Sequence, residues 1–423
     1  MKRDLGLFGA TMMGLGSIIG TGVFVSIGIA AGIAGPAIIL ATALAAVLAT
    51  FNALNSAQLA AAHPVSGGTY EYGYRYLRPS LGFLAGWMFV CAKTASAATA
   101  ALGFSGYLRN ARGWTDDGSL VGVAVTTVAV LTLVVLGGIR QSSRTNIIVV
   151  SVTLIALLSF VAAGLPTAFR SGAQSLSPFF ADSAASVLHA TALMFVAYAG
   201  YARIAVLGEE VHEPRRTIPR AIVITLILTA TLYIAVAAVS IAAVGHEAMH
   251  AATQQQAAPL VTVAREFRVP AVHWIVAVGA LTAMVGVLLN LLLGISRVLL
   301  AMGRRGDMPS VLATLDAART TPYVAVVTAG VIITGLAAIG SVKTTWSFSA
   351  FSILIYYAIT NLAALRLPAS ERLYSPLLAW AGLAACLFLA FWVEWQIWAS
   401  GLGLLLIGLI WHWIAASRMH TNR

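Results

Sequence analysis

Long runs of apolar residues dominate the sequence, and short polar connections separate them. A helix rises about 1.5 Å per residue and the hydrocarbon core of a bilayer is about 30 Å thick, so roughly 20 apolar residues can cross it. The runs predict twelve membrane-spanning helices, which we number spans 1 to 12. The spans are Leu7–Ile33, Pro36–Ala61, Leu81–Leu108, Leu120–Gly138, Ile147–Leu165, Ala184–Leu207, Ala221–Val244, Ala271–Met302, Tyr323–Gly340, Trp346–Leu365, Pro376–Val393 and Ile397–Ala416.

Composition indicates that the surrounding medium of these helices is lipid. Hydrophobic residues make up 60% of the chain and charged residues only 9%, whereas an ordinary soluble domain has about 25% charged residues. The net charge of +11 comes from basic residues dispersed over short loops rather than gathered in one patch. We therefore expect the lipid bilayer as a partner and no nucleic acid.

The distribution of lysine and arginine predicts how the chain is oriented in the membrane. Seventeen of the basic residues fall in loops or near span ends on the side of the amino terminus, and six fall on the other side. The remaining two, Lys93 and Arg203, lie deeper within spans. Because cytoplasmic loops carry the excess of positive charge, both termini are expected in the cytoplasm. Arginine supplies 22 of the 25 basic residues and alanine is abundant. This composition is typical of GC-rich bacteria and favours a bacterial inner membrane.

One polar segment separates spans 7 and 8. His246–Arg268 is amphipathic and contains three successive glutamines. The pattern predicts an outer loop with short surface helices, and a disordered linker is the alternative. Nothing else in the sequence indicates a second domain, so we expect residues 1–423 to form a single transmembrane domain.

Glycines and hydroxyls interrupt span 1 close to its midpoint, at Ser17, Gly20, Thr21 and Gly22. Glycine permits the dihedral angles of a helix break, and broken backbone is tolerated in a membrane where it lines a cavity. If Ser17 or Thr21 capped the restarted half-helix, its free amides would form a seat for a carboxylate. The alternative is that these small residues only allow close helix packing.

Span 6 carries a second interruption, where small and aromatic residues replace aliphatic ones over Phe195–Arg203. Spans 1 and 6 begin two successive sets of five, and interruptions at corresponding places predict an inverted-repeat transporter. Amides of one break and carbonyls of the other would suit the zwitterion of an α-amino acid. The predicted substrate-binding residues are Ser17, Ile18, Gly20, Thr21, Gly22, Phe195, Ala197, Tyr198, Ala199, Gly200 and Tyr201.

With these residues the sequence resembles the amino acid–polyamine–organocation (APC) transporters. Similar motifs follow in the family's order: the glycine-rich string of span 1, then Pro64–Tyr72, Gly208–Ile222, Arg304–Pro309 and Asn361–Arg366. The resemblance implies an all-α integral membrane protein of the leucine-transporter (LeuT) type, with five plus five inverted helices and two further helices. It also implies alternating access and a substrate held by spans 1, 3, 6 and 8.

Two basic residues lie within spans. Lys93 is deep in span 3, where a charge costs about 3 kcal/mol on insertion scales, so it is the candidate for coupling transport to protons. A lysine that extends to the membrane interface is the alternative. Arg203, in span 6, is expected to reach Glu209 or Glu210 in a cytoplasmic gate, and a place in the substrate path is its alternative.

Charge also bears on substrate and driving ion. No carboxylate lies in the middle third of any span, which disfavours dibasic substrates and favours small neutral or acidic amino acids. The family's sodium site uses hydroxyls of span 8. Between Ala271 and Gly294 only Thr282 qualifies, so we expect protons rather than sodium. The sequence thus predicts a secondary active transporter working by proton-coupled symport or exchange.

Other functions fit the sequence less well. The histidines are isolated and no phosphate-binding loop is present, so we expect no enzymatic activity, no cofactor and no bound metal. Two alternatives to amino acid transport stay open. One is a transporter of a non-amino-acid amine such as ethanolamine, and the other is a nutrient receptor that has kept the fold without transporting.

Overall fold

The computed structural model describes residues 5–64, 67–114, 118–138, 143–180, 183–205, 211–316 and 321–421. Within these ranges the chain is helical, and the one β contact is an isolated bridge between Leu5 and Val211. The α-helices are α1 (Leu7–Ile18), α2 (Ile27–Ala34), α3 (Ile38–Ala62), α4 (Thr69–Tyr76), α5 (Pro79–Arg112), α6 (Gly118–Leu136), α7 (Ser143–Ser175), α8 (Ala184–Tyr198), α9 (Ala202–Ala205), α10 (Pro214–Gln256), α11 (Pro259–Arg265), α12 (Val272–Arg305), α13 (Tyr323–Ala337), α14 (Val342–Leu365), α15 (Pro376–Ala390) and α16 (Trp395–Thr421).

The length and apolar character of these helices show a multi-pass membrane protein. In the part of the chain that the structure describes, nine helical runs are long and apolar enough to cross a bilayer. The first of them, Leu7–Ala62, contains α1, α2 and α3 in succession. Two further apolar helices, α13 and α15, are shorter. Every predicted span overlaps one or more of these helices.

We call the end of the bundle where α1 begins and α12 ends the near face. There the short helix α4 is fixed to the end of α12 by a buried carboxylate. The Asp307 side chain accepts hydrogen bonds from the Tyr70 hydroxyl at 2.5 Å and the Tyr74 hydroxyl at 2.7 Å. Beside them, Arg305 Nη2 lies 2.7 Å from Glu71 Oε2. Both acidic groups are therefore held by partners within the protein.

The opposite end, the far face, is covered by the segment that the sequence predicts as an outer loop. Helix α10 breaks at Gly245, where φ is 80°, and continues as a short helix to Gln256 before α11 follows. We call residues 246–265 the far cap. The predicted helices are confirmed, but they do not lie loosely on the surface, because Met249, Leu260 and other apolar residues of the cap are fully buried.

Three glycines form the seat of the far cap. A Cβ on Gly28 would overlap Thr253, and one on Gly32 would overlap the His250 ring. On α5, a Cβ on Gly106 would overlap the Gln256 carbonyl oxygen. Only glycine lets α2 and α5 approach the cap this closely, so Thr253, His250 and the Gln256 carbonyl pack directly on the backbone of these two helices.

Buried amides join α3 to α14. Asn55 Nδ2 donates to Asn361 Oδ1 at 2.8 Å, and Asn361 Nδ2 donates to Asn52 Oδ1 at 2.7 Å. An unpaired amide in this position would cost about 1–3 kcal/mol, so the network specifies how the two helices align. This alignment positions the tyrosines of α14 next to the site described below.

Candidate functional site

The glycine cluster of span 1 breaks the helix, as predicted. Helix α1 ends at Ile18, the next residue is extended (φ −78°, ψ 108°), and the chain restarts as a π-helical turn over Gly22–Ser26 that leads into α2. The predicted capping is wrong. Thr21 makes no side-chain capping bond, and Ser17 donates to the Met13 carbonyl within α1 at 3.0 Å.

Span 6 is interrupted as well. Helix α8 ends at Tyr198, a 3₁₀ turn covers Ala199–Tyr201, and α9 resumes at Ala202. The change from α-helical to 3₁₀ geometry leaves carbonyl groups without their usual partner four residues ahead. Both spans singled out by the sequence therefore contain irregular backbone at mid-depth.

The two interruptions lie against each other, and each has a glycine at the contact. A Cβ on Gly22 would lie 2.6 Å from the Ala197 Cβ, and one on Gly200 would overlap the Ser17 carbonyl oxygen. The backbones thus meet with no side chain between them. A substituent on Gly200 would meet main chain, which cannot rotate away.

Tyrosine hydroxyls from neighbouring helices satisfy the carbonyls at these breaks. Tyr233 of α10 donates to the Ile18 carbonyl at 2.8 Å, and Tyr357 of α14 donates to the Ala199 carbonyl at 3.0 Å. Unpaired buried carbonyls are costly, so these hydroxyls stabilise the irregular backbone. Each carbonyl keeps a second lone pair, which leaves it able to accept from a bound ammonium.

A cavity of about 220 Å³ extends from the two breaks toward the near face. Its walls come from both breaks, from α5, α12 and α14, and from the start of α4. The lining residues are Ser17, Gly67, Gly68, Tyr70, Phe89, Lys93, Ala199, Gly200, Ala202, Arg203, Val287, Asn290, Leu291, Gly294, Arg297, Val298 and Tyr356.

The charged groups of this cavity are all basic. Lys93, Arg203 and Arg297 line it, and no carboxylate among the described residues does. The Lys93 Nζ lies 5.9 Å from the Phe89 ring centroid on the same helix, within the range of a cation–π interaction. A cavity of this charge favours anionic or zwitterionic contents over cations.

The structure brings only some of the predicted binding residues to the cavity wall. Ser17, Ala199 and Gly200 line it, together with Lys93 and Arg203. The others form a buried layer behind the wall, with Thr21 only 3% exposed. These residues are Ile18, Gly20, Thr21, Gly22, Phe195, Ala197, Tyr198 and Tyr201. Glu209 and Glu210, the expected partners of Arg203, lie outside the described residues.

Several wall residues were not predicted from the sequence. Asn290 and Arg297 belong to α12, and Tyr356 to α14. Asn290 had a detectable signal, because it is a lone amide in an otherwise aliphatic stretch of span 8. Tyr356, and Tyr357 beside it, had no such signal, since sequence alone does not tell which face of α14 meets the breaks.

The chain is similar in sequence to known transporters. The model of the family described as amino acid permease matches residues 9–421. An uncharacterized transporter of Mycobacterium tuberculosis is 41% identical over 415 residues, 97% of this chain and 90% of that one. The branched-chain amino acid permease of Bacillus subtilis is 28% identical over 449 residues, 100% of this chain and 94% of its own. The methylthioribose transporter of the same organism is 26% identical over 430 residues, with coverages of 95% and 92%.

Family and relatives alike are transporters, which points away from enzymatic activity. The family match spans both interrupted helices, the cavity between them and the far cap. The chain belongs to the amino acid permease family of the amino acid–polyamine–organocation superfamily.

Proposed function

We propose that this protein is a secondary active transporter of small neutral or acidic amino acids, driven by protons or by exchange. It works by alternating access in a bacterial inner membrane, with both termini in the cytoplasm. The observation that carries the proposal is the contact of two interrupted helices at the wall of a basic, mid-depth cavity. Irregular backbone at this depth is expected where a transporter holds its substrate.

Helix lengths support twelve crossings in the LeuT arrangement. At about 1.5 Å per residue the 56-residue run Leu7–Ala62 would be roughly 84 Å long as one helix, about twice the thickness of a bilayer. The run also turns at Gly35, where φ is 57°, so it crosses twice. With the two shorter apolar helices α13 and α15, the count reaches the expected twelve. The whole chain then forms one transmembrane domain.

Charge supports a cytoplasmic near face. The loops that carry most of the lysine and arginine residues connect helix ends at this face, and such loops are retained in the cytoplasm. The far cap then lies on the outside. With the far cap packed on α2 and α5 and the cavity reaching the near face, the structure corresponds to an inward-facing state.

The substrate would lie between the breaks and Lys93. We propose that its carboxylate meets the amides of Gly20, Thr21 and Gly22 at the start of the second half-helix, where the helix dipole favours negative charge. Its ammonium would meet the carbonyls of span 6 around Ala197 and Tyr198. Because Gly22 packs on Ala197 in the present state, the two breaks must separate slightly to admit it.

Lys93 is the proposed coupling residue. It is the basic side chain that lies deepest along its helix, 14 residues from the start of α5. A proton taken up by its neutral amine, or released by its ammonium, would change the charge of the cavity at the step where substrate binds. Sodium is not part of the proposal, since the Thr282 hydroxyl of α12 donates to the Val278 carbonyl of its own helix at 2.8 Å.

Transport by the purified protein tests this proposal. Proteoliposomes with an imposed proton gradient are offered a panel of radiolabelled amino acids, and wild type is compared with Lys93→Ala. We expect proton-driven accumulation by wild type, which falls to exchange alone in the variant. Equal accumulation in both would remove Lys93 from the coupling step.

The panel also separates the amino acid from other substrates. One relative is named for methylthioribose, so amines such as ethanolamine and this thio-sugar are included. Uptake of one of them without any amino acid would contradict the proposed substrate class. Binding with neither uptake nor exchange would identify a receptor instead of a transporter.

A further inference from the structure

We infer that the substrate is an acidic amino acid whose side-chain carboxylate is held by Lys93, with Asn290 and Arg297 on the adjoining wall. This inference rests on the proposed function and narrows it from small neutral or acidic amino acids to dicarboxylic ones.

Lys93 on α5 and Arg297 on α12 line the cavity, and the lining residues that the structure describes include no aspartate or glutamate. Arg297 is exposed and can be hydrated, whereas Lys93 is partly buried. A cation that is partly removed from water without a counter-ion is costly. An anionic group on the bound molecule would supply the missing charge.

Two acidic side chains at the near face already have partners. Glu71 accepts from Arg305 Nη2 at 2.7 Å, and Asp307 accepts from Tyr70 and Tyr74. Both groups belong to the packing of α4 against α12 at the near face. They are therefore committed to that contact and do not neutralise Lys93.

Two separate places for a carboxylate lie in or next to the cavity. One is behind its wall, at the restarted half-helix of span 1, where Thr21 is buried and its Oγ1 has no hydrogen-bond partner among the described residues. The other is Lys93 on α5, which lines the cavity together with Ser17 and Gly200. The carbonyls of the two breaks accept hydrogen bonds. Two anion seats and one ammonium seat correspond to a molecule with two carboxylates and one α-amino group.

The volume of the cavity agrees with a dicarboxylic amino acid as its substrate. The cavity of about 220 Å³ is smaller than the roughly 300–1,000 Å³ of pockets that bury drug-sized ligands. A single small amino acid fits, and Asn290 adds an amide that can donate to a carboxylate oxygen. A neutral aliphatic side chain would leave the Lys93 ammonium without a partner in the same space.

Isosteric pairs of amino acids test the inference without any mutation. Glutamate and glutamine have nearly the same shape, as do aspartate and asparagine, but only one of each pair carries the second negative charge. We measure the affinity of purified wild type for all four by competition against a bound radiolabelled amino acid. One charge-assisted hydrogen bond predicts that each acid binds about tenfold or more tightly than its amide.

Variants of Lys93 identify the residue responsible. Lys93→Met removes the ammonium while keeping an unbranched chain, and it should bring the affinities of acid and amide within about twofold. Lys93→Arg keeps the positive charge and should keep the preference. Arg304→Gln, a matched loss of charge on an exposed residue at the end of α12 outside the cavity, should leave it unchanged.

Three outcomes separate the inference from the proposed function. A preference for the acids that Lys93→Met abolishes supports the inference. Equal binding of acids and amides by wild type, or a preference that survives in Lys93→Met, overturns it and leaves amino acid transport intact. Failure of every α-amino acid to bind wild type would overturn both.

Discussion

The two faces of the bundle are built by different means. At the far face, Gly28, Gly32 and Gly106 let the far cap press directly on the backbone of α2 and α5. At the near face, a cavity with basic and polar side chains extends from the helix breaks past Lys93 to Arg297. At the far face, the cap packs on glycine backbone, whereas at the near face a cavity is lined by charged side chains.

This difference indicates how access can alternate. The glycines of the seat carry no charge, and Arg265 of the cap donates to the neutral Asn110 of α5 at 2.7 Å. The cap can therefore separate from α5 without breaking an ion pair of Arg265. The cavity at the near face instead carries basic side chains, which need an anionic partner when the cavity is emptied of water. We therefore expect changes at the glycine contacts to alter the conformational balance, and changes at the charged wall to alter substrate affinity.

The largest effect is expected from Gly200→Ala, which disrupts the contact between the two breaks. The new Cβ would overlap the Ser17 carbonyl oxygen. Overpacking costs typically 1–3 kcal/mol, so transport should fall by up to about 100-fold. The measurement is initial uptake per folded protein in proteoliposomes. Gly294→Ala, on the cavity wall with open space around it, is the control and should retain wild-type uptake.

A smaller effect, which a second substitution should reverse, is expected from Gly32→Ala at the far seat. Its Cβ would overlap the His250 ring, so the cap cannot close fully and exchange should fall about tenfold, as overpacking of about 1.4 kcal/mol would give. The double variant with His250→Ala creates space and should restore exchange. If the double variant is as slow as the single one, the contact with the cap is not the cause.

A comparison of two tyrosines tests the near and far parts of span 1. Tyr233 donates to the Ile18 carbonyl at the break, and Tyr107 donates to the Phe24 carbonyl farther along, each at 2.8 Å. Tyr233→Phe and Tyr107→Phe should both lower stability by about 1 kcal/mol. Only Tyr233→Phe should change substrate affinity, by about threefold, in competition binding. Equal changes in substrate affinity for the two variants would mean that the break at Ile18 has no specific role in substrate binding.

The smallest effect concerns a charge cluster at the far face. Glu394 Oε1 lies 2.9 Å from Lys343 Nζ, and Oε2 lies 3.4 Å from His189 Nε2. Burial alone would raise the pKa of Glu394, but its bonds to His189 and Lys343 hold that pKa well below the usual range. A lowered pKa stabilises the fold above the unfolded pKa of about 4.3, and this contribution is lost as the pH falls toward the folded pKa.

Glu394→Gln should therefore lower the melting temperature in detergent by about 2 °C at neutral pH, the size expected of one partly exposed ion pair. The difference should shrink as the pH is lowered below about 4.3. A deficit that is the same at all pH values would show that the cluster stabilises by packing and not by charge. Glu266→Gln, which also removes a carboxylate on the same face, is the control variant.

The positions of the helices and of their breaks were predictable because both leave local signals. Apolar runs mark the spans, and glycine clusters mark the interruption at Ile19 and Gly20. The wall of the cavity was less predictable, because it depends on which helix faces meet. Thus Ile18 and Tyr201 were expected to contact substrate directly, whereas the structure places them in the buried layer behind Ser17 and Gly200.

Long-range partners were invisible to sequence reasoning for the same reason. Tyr233 is 215 residues from the Ile18 carbonyl that it stabilises, and nothing near it in the chain distinguishes it from other aromatic residues of a span. Lys93 was an exception. A charge in an apolar run is conspicuous whatever its neighbours are, and the structure places it on the cavity wall.

The most direct test of the central claim is the accessibility of the cavity from each side of the membrane. Gly294→Cys fits the wall without contacts and is introduced after Cys91→Ala and Cys386→Ser. A membrane-impermeant maleimide is added to inside-out or right-side-out vesicles, with Gly118→Cys at the exposed start of α6 as the far-face control. We predict labelling of Gly294→Cys from the cytoplasmic side, slowed by bound amino acid, and labelling of Gly118→Cys from the outside. Labelling of Gly294→Cys from the outside alone, or at a rate that no amino acid changes, would contradict a substrate site reached from the near face.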